Sequence, residues 1–404
     1  MKSVEWTLNH LPKTDDKQLD IMSKDNIKRA RGFHQSFPEY TVTPLQRLKM
    51  LAEKLGVREV FVKDESYRFG LNAFKVLGGS YAIARHIAKE MNMNIRAVDY
   101  DFLKSDGLTR SFGRTTFFTA TDGNHGRGVA WAANQLGQKA VVRMPKGTVR
   151  VRYENIRREG AEVTIEDMNY DDCVRLAASQ AAKTERGVIV QDTAWDGYEE
   201  IPSWIMQGYG TMAMEAAEQL QHAGYRRPTH IFIQAGVGSL AGAVTGYFQN
   251  LFPNDPPKVV VVEADAAACL YKSAVAGDGR PRAVGGDMET IMAGLACGEA
   301  NTISWDILKN HAFAFASCPD WVSAKGMRTL AAPARPDPQV KSGESGAVGA
   351  GLLAAICERP EFDRFKRALE IDDTSVVLLF STEGDTDPEN YKRIVWDGAY
   401  PSVE

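Results

Sequence analysis

"IFIQAGVGSLAGAVTGYFQNLFPN" (231–254) admits two readings, and the choice between them decides the fold. The stretch carries no charge and has the length of a bilayer span. Gly238, Gly242 and Gly246 even give the small-residue steps of packed membrane helices. Gln234, Ser239, Thr245 and Gln249 make it too polar for that role. It divides instead into a β-rich run, a glycine turn and a helix, which is one repeat of an α/β chain.

The same grammar extends in both directions. "EVFVKDES" (59–66), "TTFFTAT" (115–121), "KAVVRMP" (139–145), "EVTIE", "GVIVQD" (187–192), "THIFIQA", "KVVVVEAD" and "SVVLLFSTEGD" (375–385) read as strands. The apolar spacing of "TPLQRLKMLAEKLGV" (43–57) predicts a helix stopped by Gly56. "NAFKVLGGSYAIARHIAKEM" predicts another, with Asn72 as its N-cap. Residues 92–115 read as a polar loop, and a long helix is expected near 202–223. The class is α/β, with mainly parallel sheets flanked by helices. Five strand ends, Thr121, Asp192, Ala235, Asp265 and Thr382, run into polar or glycine-rich loops. Sites in open α/β sheets lie at such carboxyl ends.

Bulk properties narrow the function. With 404 residues, two domains are expected. The expected division is 1–89 with 217–404 as a discontinuous larger domain, and 90–216 as a smaller one. A hydrophobic content of 44%, a charged content of 25% and a net charge of −4 favour neither nucleic acid nor membrane as partner, and leave a small molecule as the default. The five cysteines are scattered, without zinc-ligand spacing, so no metal is expected and a reducing, cytoplasmic setting is. Whether Cys269 and Cys297 pair stays open. The N-terminal twenty residues hold acids and no apolar core, so no secretory signal is expected.

Gly236, Gly238 and Ala241 fit the G-x-G-x-x-G/A turn that opens a dinucleotide-binding helix, and Glu263 ends the next strand. These residues would suit a nicotinamide-dependent dehydrogenase. The physics is more general: amides of a glycine turn at a helix N-terminus hold a phosphate, whichever molecule carries it. Lys75 lies among Phe74, Val76 and Leu77; a lysine kept from water has a lowered pKa and forms Schiff bases.

"NAFKVLGGSYA", "TDGNHGRGVAWAA", "AGVGSLAGAV" and "FSTEGD", in this order, resemble the pyridoxal-phosphate enzymes of the tryptophan-synthase-β group (fold type II), which include threonine and serine dehydratases. "VIVQDTAWDGYEEIPSWIMQGYGTMAMEA" makes the chain look more closely like the diaminopropionate ammonia-lyases. The resemblance implies pyridoxal 5'-phosphate held as a Schiff base on Lys75. It puts Asn124 on the ring 3'-oxygen and the amides of Gly236, Val237, Gly238, Ser239 and Leu240 around the phosphate. Thr382 would face the ring nitrogen, and Thr121, Gly123 and His125 would hold the substrate carboxylate. A homodimer is also implied.

Asp122 departs from the serine usual before "GNHG" in the dehydratases. A carboxylate there repels a substrate carboxylate but attracts a second ammonium or moves a proton. The resemblance implies action on D and L isomers of 2,3-diaminopropionate, so Asp122 is the candidate base for the D isomer and Lys75 for the L isomer. Asp192 is expected to bind the β-ammonium or to tune Asp122. Arg127 reads as a salt-bridged helix residue, Glu263 as a structural acid, and Glu344 as a helix-starting acid whose relatives help hold a cation. A fold of this kind also serves serine/threonine dehydratases, and it can carry a ligand-binding protein without catalysis.

Overall fold

The computed structural model describes residues 2–121 and 123–402. Eleven strands are described: β1 Glu5–Leu8, β2 Leu45–Arg47, β3 Glu59–Asp64, β4 Thr116–Ala120, β5 Lys139–Met144, β6 Glu162–Ile165, β7 Gly187–Ile189, β8 His230–Gln234, β9 Lys258–Ala264, β10 Ala314–Cys318 and β11 Val376–Ser381. They form a seven-stranded sheet in the order β1-β10-β9-β8-β11-β3-β2 and a four-stranded sheet in the order β6-β5-β4-β7. The edge strands β1 and β2 pair antiparallel, and every other pairing is parallel.

The central strands are buried on both faces, as parallel strands under crossover helices must be. Ile231, Ile233, Val261 and Leu378 enter one core, while their alternate neighbours Phe232, Val260, Val262 and Leu379 enter another. The smaller sheet turns Phe117, Val142 and Met144 into that first core, and covers Phe118, Ala120 and Val141 on its other face. The parallel strands thus direct their carboxyl ends toward a shared cleft.

Helix Ser239–Leu251 follows β8 through the glycine turn, so the opening stretch is strand, turn and helix. Among the described residues no helix is long and apolar enough to cross a membrane.

Three local expectations need correction. Residues 43–57 split into β2 and a helix Lys49–Leu55, because Leu45–Arg47 pair with β3; Gly56 does end the helix, at φ 67°. Residues 92–115 hold a 3-10 turn, Ile95–Ala97, and short helices Tyr100–Lys104 and Asp106–Phe112. Asn94, Asp99 and Ser105 each cap one of these with a side-chain oxygen, so their polarity starts helices rather than a loop. Asn72 caps nothing: the helix runs Val76–Glu90, while Asn72 adopts φ 60° and donates to Asp385.

Candidate active site

The strand ends meet at a cleft of about 700 Å³, counted to its open mouth. Its walls include Lys75, Thr121, Asn124, His125, Asp192 and Thr382, together with the turn from Gly236 to Leu240. Residues scattered over three hundred positions are gathered because most follow, or lie one turn beyond, the carboxyl end of a strand; Lys75 is the exception, separated from the end of β3 by the 3-10 segment Glu65–Gly70. Asp122 lies outside the described residues.

Lys75 occupies the position before helix Val76–Glu90, not a place within it. Its segment is fixed beside the end of β11 by the Phe74 amide donating to Thr382 O at 3.1 Å. An Ala73–Glu383 bridge adds a second tie. The Lys75 ammonium donates to the Asp192 carboxylate and lies 5.7 Å from the centre of the Phe74 ring. Burial alone would lower the lysine pKa, as expected from the sequence. The charge and hydrogen bond of Asp192 outweigh it, so the pKa is raised instead. The expectation failed because the partner is distant in sequence. Asp192 is 3% exposed. Burial pushes its pKa up, but Lys75 and then His125 pull it well below the usual carboxylate range. The expected acid pair of Asp192 with Asp122 involves a residue outside those described.

His125 is placed by its Nε2–H, which donates to Val190 O at 2.9 Å, since a carbonyl only accepts. Its Nδ1 then lies 3.9 Å from Asp192 Oδ2. The Thr121 hydroxyl accepts from the Gly123 amide at 2.9 Å, and the Thr121 amide donates to Arg143 O at 3.0 Å. Two of the three amides expected to take a substrate carboxylate therefore already have protein acceptors. The Asn124 amide donates to Glu383 Oε2 at 2.5 Å, which leaves its second N–H for another acceptor.

The glycine turn has the features of a phosphate cradle. Gly238 takes φ 99°, and no side chain caps the helix it precedes. A Cβ on Gly236 would stand 3.1 Å from Gly294 O and 3.3 Å from Cys297 Sγ, closing the turn against the cleft wall. Ser239 donates its hydroxyl to Asp192 O and accepts from Asn301 at 2.8 Å, tying the turn to the Asp192 loop. An amine, a turn of helix-leading amides and a buried hydroxyl on one cleft suit the aldehyde, phosphate and ring nitrogen of pyridoxal phosphate.

Other residues sort out around the cleft. Glu263 is buried and accepts from the Leu270 and Tyr271 amides, so it is a structural acid and offers nothing to a nucleotide ribose. Arg127 pairs with Glu159 at 2.9 Å. Glu344 starts helix Glu344–Glu358 and accepts from Asn390; burial and then Glu383 raise its pKa to about 7. All five cysteines are free thiols. Sequence reasoning singled out neither Gln234 nor Glu383 as a site residue, and both line the cleft. A glutamine directly after the apolar run Ile231–Ile233 of β8 was the available signal for the first.

Comparison with known proteins agrees with this architecture. The family described as pyridoxal-phosphate dependent enzyme matches residues 37–379. A diaminopropionate ammonia-lyase from Salmonella typhimurium is 53% identical over 94% of each chain. The crystal structure of diaminopropionate ammonia lyase from Escherichia coli in complex with D-serine superposes with a TM-score of 0.92, at 46% identity over 99% of each chain. A biosynthetic L-threonine dehydratase from Salmonella typhimurium is 30% identical, over 58% of this chain and 38% of its own length. The glycine turn, the cleft lysine and a likeness that runs the length of the chain converge: it belongs to the pyridoxal-phosphate dependent enzymes and, among them, to the diaminopropionate ammonia-lyases.

Proposed function

We propose that the protein eliminates ammonia from 2,3-diaminopropionate, D and L, to give 2-aminoacrylate, which hydrolyses to pyruvate and a second ammonia. The observation that carries this reading is the buried carboxylate of Asp192, already gripping a primary ammonium, that of Lys75. A substrate with an ammonium on Cβ fits that carboxylate; serine and threonine offer a neutral hydroxyl, which gains much less from a buried charge.

The cofactor, when bound, supplies the electron sink for a negative charge at Cα. Lys75 would hold it, with Asn124 at the 3'-oxygen, the Gly236–Leu240 amides at the phosphate and Thr382 at the ring nitrogen. Thr121, Gly123 and His125 surround the substrate carboxylate, the Thr121–Gly123 hydrogen bond opening to admit it. Once the substrate's ammonium takes Asp192, Lys75 loses the partner that raises its pKa. Burial then pulls the pKa down, and Nζ becomes a base for Cα–H of the L isomer. Asp122 takes the proton of the D isomer; that role rests on the sequence. The Cβ–N bond breaks with its electron pair leaving on nitrogen.

The wider organisation is proposed on the same footing. The larger domain is 1–89 with 217–404 and the smaller 90–216. The four-stranded sheet, lying wholly within 116–189, supports this, although residue 216 falls inside helix Glu200–His222. A cytoplasmic homodimer follows from the resemblance and the scattered cysteines.

Pyruvate formation from D- and L-diaminopropionate, with D- and L-serine beside them, tests the reading in the wild type and in Asp122→Asn. Both diamino isomers should react, and the variant should lose mainly the D isomer. A preference for serine would return the protein to the dehydratases, and equal losses would remove Asp122 as the second base.

A further inference from the structure

Gln234 ends β8 at 1% exposure. Its Nε2 lies 2.9 Å from Phe380 O and 2.7 Å from the Thr382 hydroxyl oxygen. The Phe380 carbonyl only accepts, so the atom facing it must be the amide nitrogen; the flipped amide would set two acceptors against each other. That fixes the second contact too. The same nitrogen gives its other hydrogen to Thr382, whose hydroxyl is thereby an acceptor on the Gln234 side. Its own proton must point elsewhere, and among the described residues no protein acceptor is found for it. Thr382 is 3% exposed and lines the cleft.

We infer that Gln234 is a positioning residue that sets the direction of the Thr382 hydroxyl, making it an obligate donor to the cofactor's ring nitrogen and holding that nitrogen unprotonated. This rests on the placement of Thr382 proposed above. A threonine alone would not do it, because a free hydroxyl accepts from a pyridinium as readily as it donates to a pyridine. The charged groups on the cleft wall do not oppose the device. Lys75 and Asp192 pair with each other, and the Glu383 carboxylate accepts from Asn124, Thr386 and the Ser345 amide. The consequence is chemical: a neutral ring withdraws less charge from Cα, which favours expulsion of a β-substituent over prolonged storage of the negative charge.

The test is the 15N resonance of ring-labelled pyridoxal phosphate in the reconstituted holoenzyme. Wild type should show a neutral pyridine from pH 6 to 9. Gln234→Glu reverses the polarity. Facing the Phe380 carbonyl, the glutamate oxygen that replaces Nε2 carries a proton and donates it to Phe380 O; the same oxygen accepts the Thr382 proton, so a lone pair faces the ring. The resonance should move into the pyridinium range. Should that variant fail to fold, Gln234→Met imposes no direction, and its resonance should titrate toward pyridinium as pH falls. Thr382→Ala separates the failures. A signal that moves in Thr382→Ala but not in the Gln234 variants overturns the role of Gln234 alone. A signal unmoved in Thr382→Ala, or a wild-type ring already protonated, overturns the placement of Thr382 as well.

Discussion

Gly128→Ala tests whether the site depends on the close approach of two helices. Gly128 lies in helix Asn124–Gln135, one turn after Asn124, and faces the start of helix Val76–Glu90. A Cβ there would stand 2.7 Å from Val76 N, 2.8 Å from Val76 Cα and 3.0 Å from Lys75 C. All three atoms are backbone, so no side chain can rotate away. Ordinary contact begins near ~3.5 Å, so the helices must part by about 0.8 Å. Overpacking of this kind costs about 1–3 kcal/mol, offset by up to about 1 kcal/mol of helix propensity gained over glycine. The net loss therefore lies between about 0 and 3 kcal/mol. The larger effect is on geometry, because the displaced backbone is that of Lys75. Misplacement approaching 1 Å costs up to about 100-fold in rate, so kcat should fall roughly 10- to 100-fold. Gly32→Ala is the control. It sits in the last turn of helix Lys24–His34 with nothing within 4 Å of its Cβ, and should be neutral to stabilising by up to about 1 kcal/mol. Urea unfolding and steady-state kinetics on both variants decide the matter. A Gly128→Ala protein with wild-type stability and kcat would refute the argument.

Two more predictions concern charge. Glu344 has its pKa raised to about 7 by burial and by Glu383, against 4.5 for an ordinary glutamate. The native state therefore holds more protons than the unfolded chain between those values, and stability falls as pH rises through that window. Glu344→Gln keeps an acceptor for Asn390 and should remove roughly 1–3 kcal/mol of that fall between about pH 5 and 7.5; parallel urea-stability curves for the two proteins would contradict it. Asp192→Asn removes the largest influence opposing the burial of Lys75, so its pKa drops and more neutral amine is present at pH 7. Covalent capture of free pyridoxal phosphate by the apoprotein should speed up while turnover falls about 100- to 10,000-fold. If both slow together, Asp192 is only a structural support.

What can be read from the sequence is what local rules control. The turn after β8 is legible because a helix N-terminus that approaches an anion needs glycines in adjacent positions, and Gly238 does take a positive φ. The buried strands are legible from their apolar runs. By contrast, β1, β2 and β10 escape a sequence reading. An edge strand is made by its neighbour: Leu45–Arg47 carries a helical spacing, and pairing with β3 overrides it. The site divides in the same way. Strand ends announce where Asp192, Thr382 and the turn bearing Asn124 gather, and a motif resemblance adds Lys75, but neither tells how they act on one another. The charge state of Lys75 is set by Asp192, 117 residues away, so the lysine's own neighbours give the wrong sign for its pKa shift. The glutamine that ends β8 is visible in the sequence, but its meaning is not, because that depends on a carbonyl 146 residues further on. An isolated glutamine is ambiguous between donor and acceptor; Phe380 resolves the ambiguity, and Thr382 inherits the answer. The chemistry of such a cleft is therefore encoded in pairs that only folding brings together, and the informative substitutions are those that reverse the polarity of one member while leaving its shape in place.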